Sequence, residues 1–224
     1  MNERKEITYE TVRKSDEIRT YIKQADESLK ALGFTEHAFA HCTKCAIKAG
    51  EILKKTGYSD RDVELAMIAG FMHDIGNVVN RADHAQSGAI MAFRILDNMG
   101  MSPVEIAKIV TAIGNHDEST AHPVNAISAA LILADKSDVR RSRVRNDRKT
   151  SFDIHDRVNF AAVESDLEID KDAGNITLKL KIDTHISPVI DYFEIFMNRM
   201  LLCKKAAAFF NLRFKLVING SELL

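Results

Sequence analysis

Apolar residues recur with a helical period from about residue 14 to residue 138. One stripe of such residues runs from Cys42 to Leu53 at intervals of three or four residues. Ser59 and Ser102 precede two further stripes, and each begins a segment typical of a capped helix start. This part of the chain is therefore predicted to form a bundle of helices.

The pattern changes in the last third of the chain. Residues 136–157 are rich in arginine and poor in apolar side chains, which predicts a loop or an exposed helix. Beyond them, two segments alternate between apolar and polar residues on either side of a turn-forming stretch, which is typical of a β-hairpin. The predicted elements are two hairpin strands, an apolar helix and a third strand, at residues 166–170, 176–182, 188–210 and 214–218. We expect them to form a small antiparallel sheet with one helix.

These patterns predict a mostly α protein in two parts. A helical domain spans residues 1–150, and a small α+β appendix (an antiparallel hairpin, a helix and a strand) spans residues 151–224. Because the hairpin leaves strand edges that need to be covered, we expect the appendix to pack on the helical domain or to form a homodimer.

The composition predicts a cytoplasmic protein with a full hydrophobic core. Of the 224 residues, 46% are hydrophobic and 28% are charged, and the formal net charge of -1 argues against a nucleic-acid coat. No window approaches the run of about 18 apolar residues that a membrane span needs. Three cysteines, an odd number, favour a reducing compartment over a disulfide framework. Cys42 and Cys45 form a Cys-x-x-Cys without a second pair, which favours core packing over a zinc site.

A His-Asp pair, His73-Asp74, stands at the end of one predicted stripe. Further histidines and an aspartate lie on or beside the predicted helices, at His41, His84, His116 and Asp135. Neutral imidazoles and carboxylates are ligands of Mn²⁺, Fe²⁺ or Ni²⁺, so these residues predict a metal centre. If the helices alternate in direction, the histidines meet at one end of the bundle. Asp135 is the exception, because it lies about ten residues into its predicted helix.

The order His41, His73-Asp74, Asp135 resembles the HD-domain metal-dependent phosphohydrolases, an all-helical family named for its His-Asp pair. The resemblance covers roughly residues 30–140. The segments 84–89 (His-Ala-Gln-Ser-Gly-Ala) and 115–118 (Asn-His-Asp-Glu) are similar to elements of the binuclear branch of that family, which includes the HD-GYP phosphodiesterases.

Three departures limit what the resemblance implies. The Gly-Tyr-Pro motif is absent, so hydrolysis of cyclic di-GMP is not inferred. Asn77 stands where a lysine is often found, three residues after the aspartate of the pair. Asn115 stands where the binuclear branch has a histidine, which would leave one metal site with fewer ligands.

The resemblance implies a role for each candidate residue. The implied metal ligands are His41, His73 and Asp135 for one ion and His84 and His116 for a second, with Asp74 as the bridge between them. His73 and Asp74 are the implied catalytic residues, and the implied cofactor is one or two divalent transition-metal ions, with Mn, Fe or Ni favoured over Zn or Mg. His37, one turn before His41 in the predicted helix, is a candidate for substrate contact, with an ordinary helical histidine as the alternative.

The function that the resemblance implies is that of a metal-dependent phosphohydrolase. Such an enzyme hydrolyses a nucleotide or another small phosphate mono- or diester through a metal-activated hydroxide. Two alternatives remain open. One is a non-catalytic HD-type module that binds a ligand or partner and signals through the appendix, which the two asparagine substitutions motivate. The other is an HD-fold di-iron oxygenase, which uses the same ligands for O₂ chemistry.

Basic side chains that follow Asp135 are the candidates for binding a phosphorylated substrate. Lys136, Arg140 and Arg141 would contact phosphate oxygens through charge-assisted hydrogen bonds. The alternative is a basic loop that is solvated or paired with acidic groups, such as those of residues 166–172.

Overall fold

The structure, a computed structural model, describes residues 6–145 and 152–224. Its α-helices are α1 (Tyr9–Lys14), α2 (Asp16–Ala31), α3 (Phe39–Thr56), α4 (Asp60–Met72), α5 (His84–Asn98), α6 (Pro103–Gly114), α7 (Ala126–Lys136), α8 (Ile154–Ala161) and α9 (Val189–Phe209). Its strands are β1 (Ala162–Asp170), β2 (Asn175–Ile182), β3 (Arg213–Ile218) and β4 (Ser221–Glu222). Short 3₁₀ helices follow α4 at Ile75–Val78 and α7 at Arg141–Arg143. The predicted fold class, mostly α with a small α+β appendix, is confirmed.

Helix α4 lies at the centre of the bundle. It packs against α1, α3, α6 and α7, and from Leu65 to Met72 every residue except Met67 is buried. The sequence stripe through Val63 and Met67 predicted one buried face, yet both of these residues are only half-buried. A helix that is enclosed by neighbours buries all its sides, so its sequence lacks a clear period. The end of α4 therefore carries His73 into the protein interior.

Helix ends are set largely where the sequence predicted them. The hydroxyl groups of Ser59 and Ser102 accept backbone N–H groups at the starts of α4 and α6. Helix α7 begins at Ala126, behind the side-chain cap Asn125, which is later than the predicted start near Pro123. The connection from α6 to α7 carries the chain across the bundle, so Asp135, in the last turn of α7, lies at the same end as the histidines.

The sheet of the appendix is mixed, which corrects the antiparallel sheet that we predicted. Strands β1 and β2 form the predicted antiparallel hairpin, with Leu167 opposite Leu178. Strand β3 pairs with β2 in parallel, with Ile176 beside Phe214. A parallel pair requires a long crossover, and α9 provides it. The two-residue alternation of a strand is the same in either direction, so the sequence pattern did not distinguish them.

Residues 137–145 of the arginine-rich segment form a loop with a short 3₁₀ turn, the first of the two predicted alternatives, and much of this loop is packed rather than exposed. Asp138, Val139 and Arg143 are buried. The Arg143 guanidinium donates hydrogen bonds to the backbone carbonyls of Glu36 and Asp138, both at 2.9 Å, and so ties this segment to the turn before α3. Burial follows because the basic groups have partners inside the protein.

The appendix packs on the helical bundle through α9, which contacts α7. Along β2 the residues Ile176, Leu178, Leu180 and Ile182 are buried, and α9 packs against this strand and β3. The predicted domain boundary at residue 150 lies outside the described residues. Among the described helices, none has the length and apolar character needed to cross a membrane.

Candidate metal centre

Two close helix contacts bring the candidate ligands together. Gly70 of α4 lies directly against α3, because a Cβ atom at this position would be 2.8 Å from the backbone nitrogen of Ala46. Gly76, in the turn after Asp74, lies against α5, because its Cβ would be 2.0 Å from the carbonyl oxygen of His84. Larger side chains at either glycine would push these elements apart, so both glycines set the distances within the centre.

The first cluster consists of His41, His73, Asp135 and one oxygen of Asp74. Its contacts are His41 Nε2 to His73 Nε2 at 3.3 Å, His41 Nε2 to Asp135 Oδ1 at 3.3 Å, His73 Nε2 to Asp74 Oδ2 at 3.3 Å and His41 Nε2 to Asp74 Oδ2 at 3.6 Å. Ligand atoms about 2.1 Å from a common ion lie roughly 3.0–3.4 Å apart, so these spacings fit one bound cation.

The second cluster consists of His84, His116 and the other oxygen of Asp74. His84 Nε2 lies 3.2 Å from His116 Nε2 and 3.5 Å from Asp74 Oδ1, and His116 Nε2 lies 3.9 Å from the same oxygen. The two oxygens of one buried carboxylate therefore face two different sets of histidines. With this arrangement, Asp74 could contact an ion in each cluster.

The hydrogen bonds of the four histidines fix which ring nitrogen faces the centre. Each Nδ1 lies next to an oxygen acceptor: Asp138 Oδ2 for His41 at 2.8 Å, and the carbonyls of Gly70 for His73 at 2.9 Å, Arg81 for His84 at 3.1 Å and Ile113 for His116 at 2.6 Å. Each Nδ1 must therefore carry the hydrogen, which leaves the Nε2 lone pairs directed at one another. Four converging lone pairs and two carboxylates repel unless a cation lies between them, so the residues fit a divalent metal.

The ionisation of the centre also fits a cation. Burial lowers the pKa of His116 to about 3, so this imidazole is neutral at pH 7. Burial would raise the pKa of Asp74, but the neighbouring His73 outweighs it, and the pKa of Asp74 is well below its usual value. The pKa of Asp135 is also well below its usual value, because the positive charge of Lys136 outweighs burial. The neutral His116 and the ionised Asp74 and Asp135 have the protonation states that metal binding requires. Burial would lower the pKa of His73, but the neighbouring Asp74 outweighs it and raises this pKa, so a bound cation would take the place of a proton there.

Asp138 is a functional residue that the sequence analysis missed. Its carboxylate, 1% exposed, accepts hydrogen bonds from His41 Nδ1 at 2.8 Å and Arg140 Nε at 3.0 Å, and it pairs with Lys44 Nζ at 2.8 Å. It thus orients His41 from behind, as outer carboxylates do in metal sites. The sequence feature that could have identified Asp138 is its position three residues after the candidate ligand Asp135.

The two cysteines of the Cys-x-x-Cys segment are buried and free, as core packing requires. The Sγ atom of Cys45 lies 3.6 Å from Nδ1 and 3.7 Å from Nε2 of His41, which places the sulfur against the ring. Burial raises the pKa of the Cys45 thiol well above its usual value, so the thiol is protonated. Cys45 packs against His41, and its sulfur lies within 4.8 Å of ligand atoms of His41, His73 and Asp135, so a bound cation that deprotonates the thiol could also use it as a ligand.

Asn77 and Asn115, the two unusual positions, have different surroundings. The Asn77 amide donates to the backbone oxygen of Asp74 at 2.9 Å and to Oδ1 of its carboxylate at 3.0 Å. Arg81 donates to the Asn77 side-chain oxygen at 3.3 Å, so its guanidinium group lies beside the position where a lysine is often found. Asn115 ends α6 and donates to the Thr111 carbonyl at 2.9 Å, which engages its amide with the helix backbone.

The metal centre borders a larger cavity of about 490 Å³. The space among the ligands themselves measures about 20 Å³. Four residues line both spaces, and we call them the neck: His37, Arg81, Arg143 and Arg199. Lys136 also borders the ligands. The entrance to the centre is therefore lined mainly by cationic side chains.

The structure brings only some of the predicted substrate-binding residues to this entrance. Lys136 and His37 border the ligands, although His37 precedes α3 and is not helical as predicted. Among the described residues, Arg140 and Arg141 do not line either space. Arg140 pairs with Asp138 and with Glu36 at 3.2 Å, and Arg141 donates to the Phe160 carbonyl at 2.6 Å. Internal acceptors hold these two arginines away from both spaces, as the alternative of a paired loop expects, and their contact with a substrate stays a prediction.

Two arginines that the sequence analysis did not single out, Arg81 and Arg199, line the neck together with Arg143 of the basic run. Arg199 comes from α9 of the appendix and pairs with Glu118 at 2.6 Å, and its guanidinium stacks 4.4 Å from the Phe196 ring centre. Glu118 also pairs with Lys136 at 3.2 Å. Arg81 lies 5.7 Å from the ring centre of Phe34. No sequence pattern connects Arg199 to ligands more than sixty residues earlier, so its role emerges only from the fold.

Comparison with known proteins identifies the family of this chain. Residues 38–149, half of the chain, match the HD domain family. The uncharacterized protein MJ1020 of Methanocaldococcus jannaschii is 25% identical over 181 residues, which cover 70% of this chain and 69% of that protein. The crystal structure of a predicted HD superfamily hydrolase from an uncultured Thermotogales bacterium matches with a TM-score of 0.44 and 25% identity, covering 55% of this chain and 67% of that one.

Proposed function

Because the chain belongs to the HD-domain family, we propose that it is a metal-dependent phosphohydrolase that acts on a nucleotide or another small phosphate mono- or diester. The observation that carries this proposal is the arrangement around Asp74. One oxygen of this carboxylate faces His41 and His73, and the other faces His84 and His116.

The ligands are held in place by the protein before any ion arrives. Asp138 fixes the ring of His41, backbone carbonyls fix the other three histidines, and Asn77 fixes the Asp74 carboxylate. When bound, two divalent cations would activate a water molecule for attack at phosphorus and neutralise charge on the phosphoryl group. The protein contributes the fixed orientation of the ligands, on which metal affinity depends.

The neck supports an anionic substrate. Arg143 is held by two backbone carbonyls, and Arg199 is held by Glu118 and Phe196, so both guanidinium groups are positioned in advance. Preorganised cations that face a developing negative charge are a main source of catalysis in phosphoryl transfer. A cation-rich entrance favours an anionic substrate, such as a phosphate ester.

Phosphate release by metal-stripped protein reloaded with Mn²⁺ tests the proposal. We expect release from a panel of small phosphate esters that depends on the added metal. Asp74→Ala should lower the rate by at least about 100-fold, the scale on which one electrostatic catalytic group acts. Asp172→Ala, a change in the exposed turn between β1 and β2, is the matched control and should keep the full rate.

Each other outcome has a definite meaning. Release that persists unchanged in Asp74→Ala would show that the reaction does not use this centre. Tightly bound iron with a mixed-valent spectroscopic signal, and no phosphate release from any ester, would identify the oxygenase alternative. Ligand binding without turnover of any kind would favour the non-catalytic module.

A further inference from the structure

The C-terminal appendix forms one wall of the cavity beyond the neck. Asp153 and Asn159, at the start and within α8, line this space, and so does Phe196 of α9. Phe34, which precedes α3, contributes from the bundle side with its ring 42% exposed. The volume of about 490 Å³ lies within the range of roughly 300–1,000 Å³ that is usual for small-molecule sites.

The metal centre is the closed end of this cavity. The side chains of His41 and His73 are 0% exposed, and those of Asp74 and Asp135 are 6% and 13% exposed. A phosphate ester that reaches the ions through the neck can therefore extend one substituent back into the cavity. A diester would need room for a second substituent among the buried ligands.

The charge of the neck also distinguishes the two kinds of ester. Arg81, Arg143 and Arg199 line the neck, and Lys136 borders the ligands. Glu118 pairs with Arg199 and Lys136, and Lys136 also pairs with Asp135 at 2.7 Å. A phosphate monoester carries a charge of about -1.5 to -2 near pH 7 and three terminal oxygens. A diester carries a single negative charge and offers two such oxygens. Three guanidinium groups and an ammonium group match the monoester better.

Beyond the neck, the α8 side of the cavity offers hydrogen-bond acceptors. Asp153 caps α8 with Oδ1, which accepts the Asp156 amide at 2.7 Å, while Oδ2 lies 3.9 Å from His155 Nδ1; the side chain is 69% exposed. The Asn159 amide nitrogen donates to the His155 carbonyl at 2.9 Å, which leaves the amide oxygen as an acceptor. Hydrogen-bond acceptors at this end of the cavity favour substrate groups that donate hydrogen bonds, such as the hydroxyl groups of a sugar.

We propose that the substrate is a phosphate monoester of a hydroxylated sugar, with its phosphate at the neck and its hydroxyl groups at the α8 wall. This inference rests on the proposed function and assigns the appendix the role of recognising the leaving group. The same chemistry is present in a free sugar phosphate and in a nucleoside monophosphate. The exposed ring of Phe34 provides a stacking surface that only the nucleotide would use.

Turnover of four probes by the Mn²⁺-loaded protein tests the inference. The probes are ribose 5-phosphate, adenosine 5′-monophosphate, methyl phosphate and bis(p-nitrophenyl) phosphate. We expect kcat/KM for ribose 5-phosphate to exceed that for methyl phosphate by about 10-fold, the effect of one or two added hydrogen bonds. The diester should be the poorest substrate. Equal turnover of methyl phosphate, or faster turnover of the diester, overturns the inference.

Binding to the metal-stripped protein, measured by calorimetry, is an independent readout. Ribose 5-phosphate should bind about 10-fold more tightly than methyl phosphate, for the same reason. Absence of phosphate release from every probe would refute the proposed function, and the binding series would then still decide the inference. Equal affinity for the two monoesters overturns it.

Two substitutions locate the effect in the appendix and at the aromatic ring. Asp153→Asn keeps a good helix cap and should reduce the preference for ribose 5-phosphate over methyl phosphate by about 3-fold, whereas Asp172→Asn should leave this ratio unchanged. If the nucleotide is the substrate, Phe34→Leu should weaken the binding of adenosine 5′-monophosphate and leave the binding of the other probes unchanged. Phe209→Leu, at another exposed phenylalanine, is the control. A preference that is unaffected by Asp153→Asn would contradict recognition by the α8 wall.

Discussion

The two clusters of the metal centre share Asp74 but are held in different ways. In the first cluster His41 is oriented by the buried carboxylate of Asp138, which itself pairs with Lys44 and Arg140. In the second cluster, the histidines have only backbone carbonyls behind them and stand at helix ends. A charged partner strengthens a histidine as a ligand, whereas a carbonyl mainly orients it.

The surroundings of the second cluster also oppose a cation more strongly. Arg81 approaches to 3.4 Å from Nε2 of His84, and its positive charge competes with any ion bound there. The first cluster has two carboxylates, from Asp74 and Asp135, and the second has only one. We therefore expect the first cluster to be the tighter metal site and the second the weaker one, because the two differ both in the number of carboxylates and in the partners behind their histidines.

The largest expected effect comes from removing one histidine of each cluster. His41→Ala should lower the Mn²⁺ affinity of the tighter site by at least about 100-fold, the upper end of what the loss of an outer partner costs. His84→Ala should leave the Mn²⁺ affinity of the tighter site within about 3-fold of that in the unmodified protein, and it should abolish Mn²⁺ binding at the weaker site. Metal titration followed by elemental analysis measures both sites. Loss of the same site in both variants would contradict a division into two clusters.

A smaller effect is expected from the outer partner of the first cluster. Asp138→Asn keeps the shape of the side chain but removes the charge behind His41, so the affinity of the tighter site should fall by about 10- to 100-fold. The weaker site should be unaffected, because the hydrogen bonds of its histidines do not involve Asp138. Asp172→Asn serves as the control. An unchanged metal affinity would mean that packing alone orients His41.

The close contact behind the second cluster gives a test through stability. The Cβ of Gly76→Ala would meet the His84 carbonyl oxygen at 2.0 Å and the Gly88 nitrogen at 2.4 Å, so the free energy of unfolding should fall by about 1–3 kcal/mol. The weaker site should be lost and the tighter one retained. Gly114→Ala is the matched control, because its nearest neighbour would be 3.7 Å away. Denaturant unfolding measures the difference, and equal stability of the two variants would argue against a tight contact.

The smallest expected effect concerns Asn115, which stands where the binuclear branch has a histidine. The amide of Asn115 is bonded to the Thr111 carbonyl of its own helix. Asn115→His should therefore change the affinity of the weaker site by less than about 3-fold, within the scale of a single weak contact. A gain of 10-fold or more in the same metal titration would show instead that the second cluster lacks a ligand at this position.

The sequence predicted the helical bundle and the convergence of its ligands because the two depend on the same pattern. Apolar stripes run into His73 and His116, so the periodicity that identifies the helices also places these histidines at their buried ends. The position of Asp135 was less certain, since it depended on where α7 begins. Asn125 sets that start through its side-chain cap, which the sequence analysis did not recognise.

What the sequence did not predict depends on contacts between distant segments. Arg140 and Arg143 belong to the same basic run, yet only Arg143 lines the neck. Arg140 donates to the side-chain carboxylates of Glu36 and Asp138, whereas Arg143 donates to the backbone carbonyls of the same two residues. Arg199 reaches the neck only because α9 packs on α7. The parallel pairing of β2 with β3 is likewise a long-range choice. Local periodicity contains no information about such partners.

The crossover through α9 has a consequence for the order in which the protein is made. Chains emerge from the ribosome from the N-terminus and fold domain by domain. Every candidate ligand lies between residues 41 and 135, whereas β3, which completes the sheet beneath α9, begins at Arg213. The segment that contains every candidate ligand can therefore leave the ribosome before α9 and β3 have been made, so the neck lacks Arg199 until the appendix is complete.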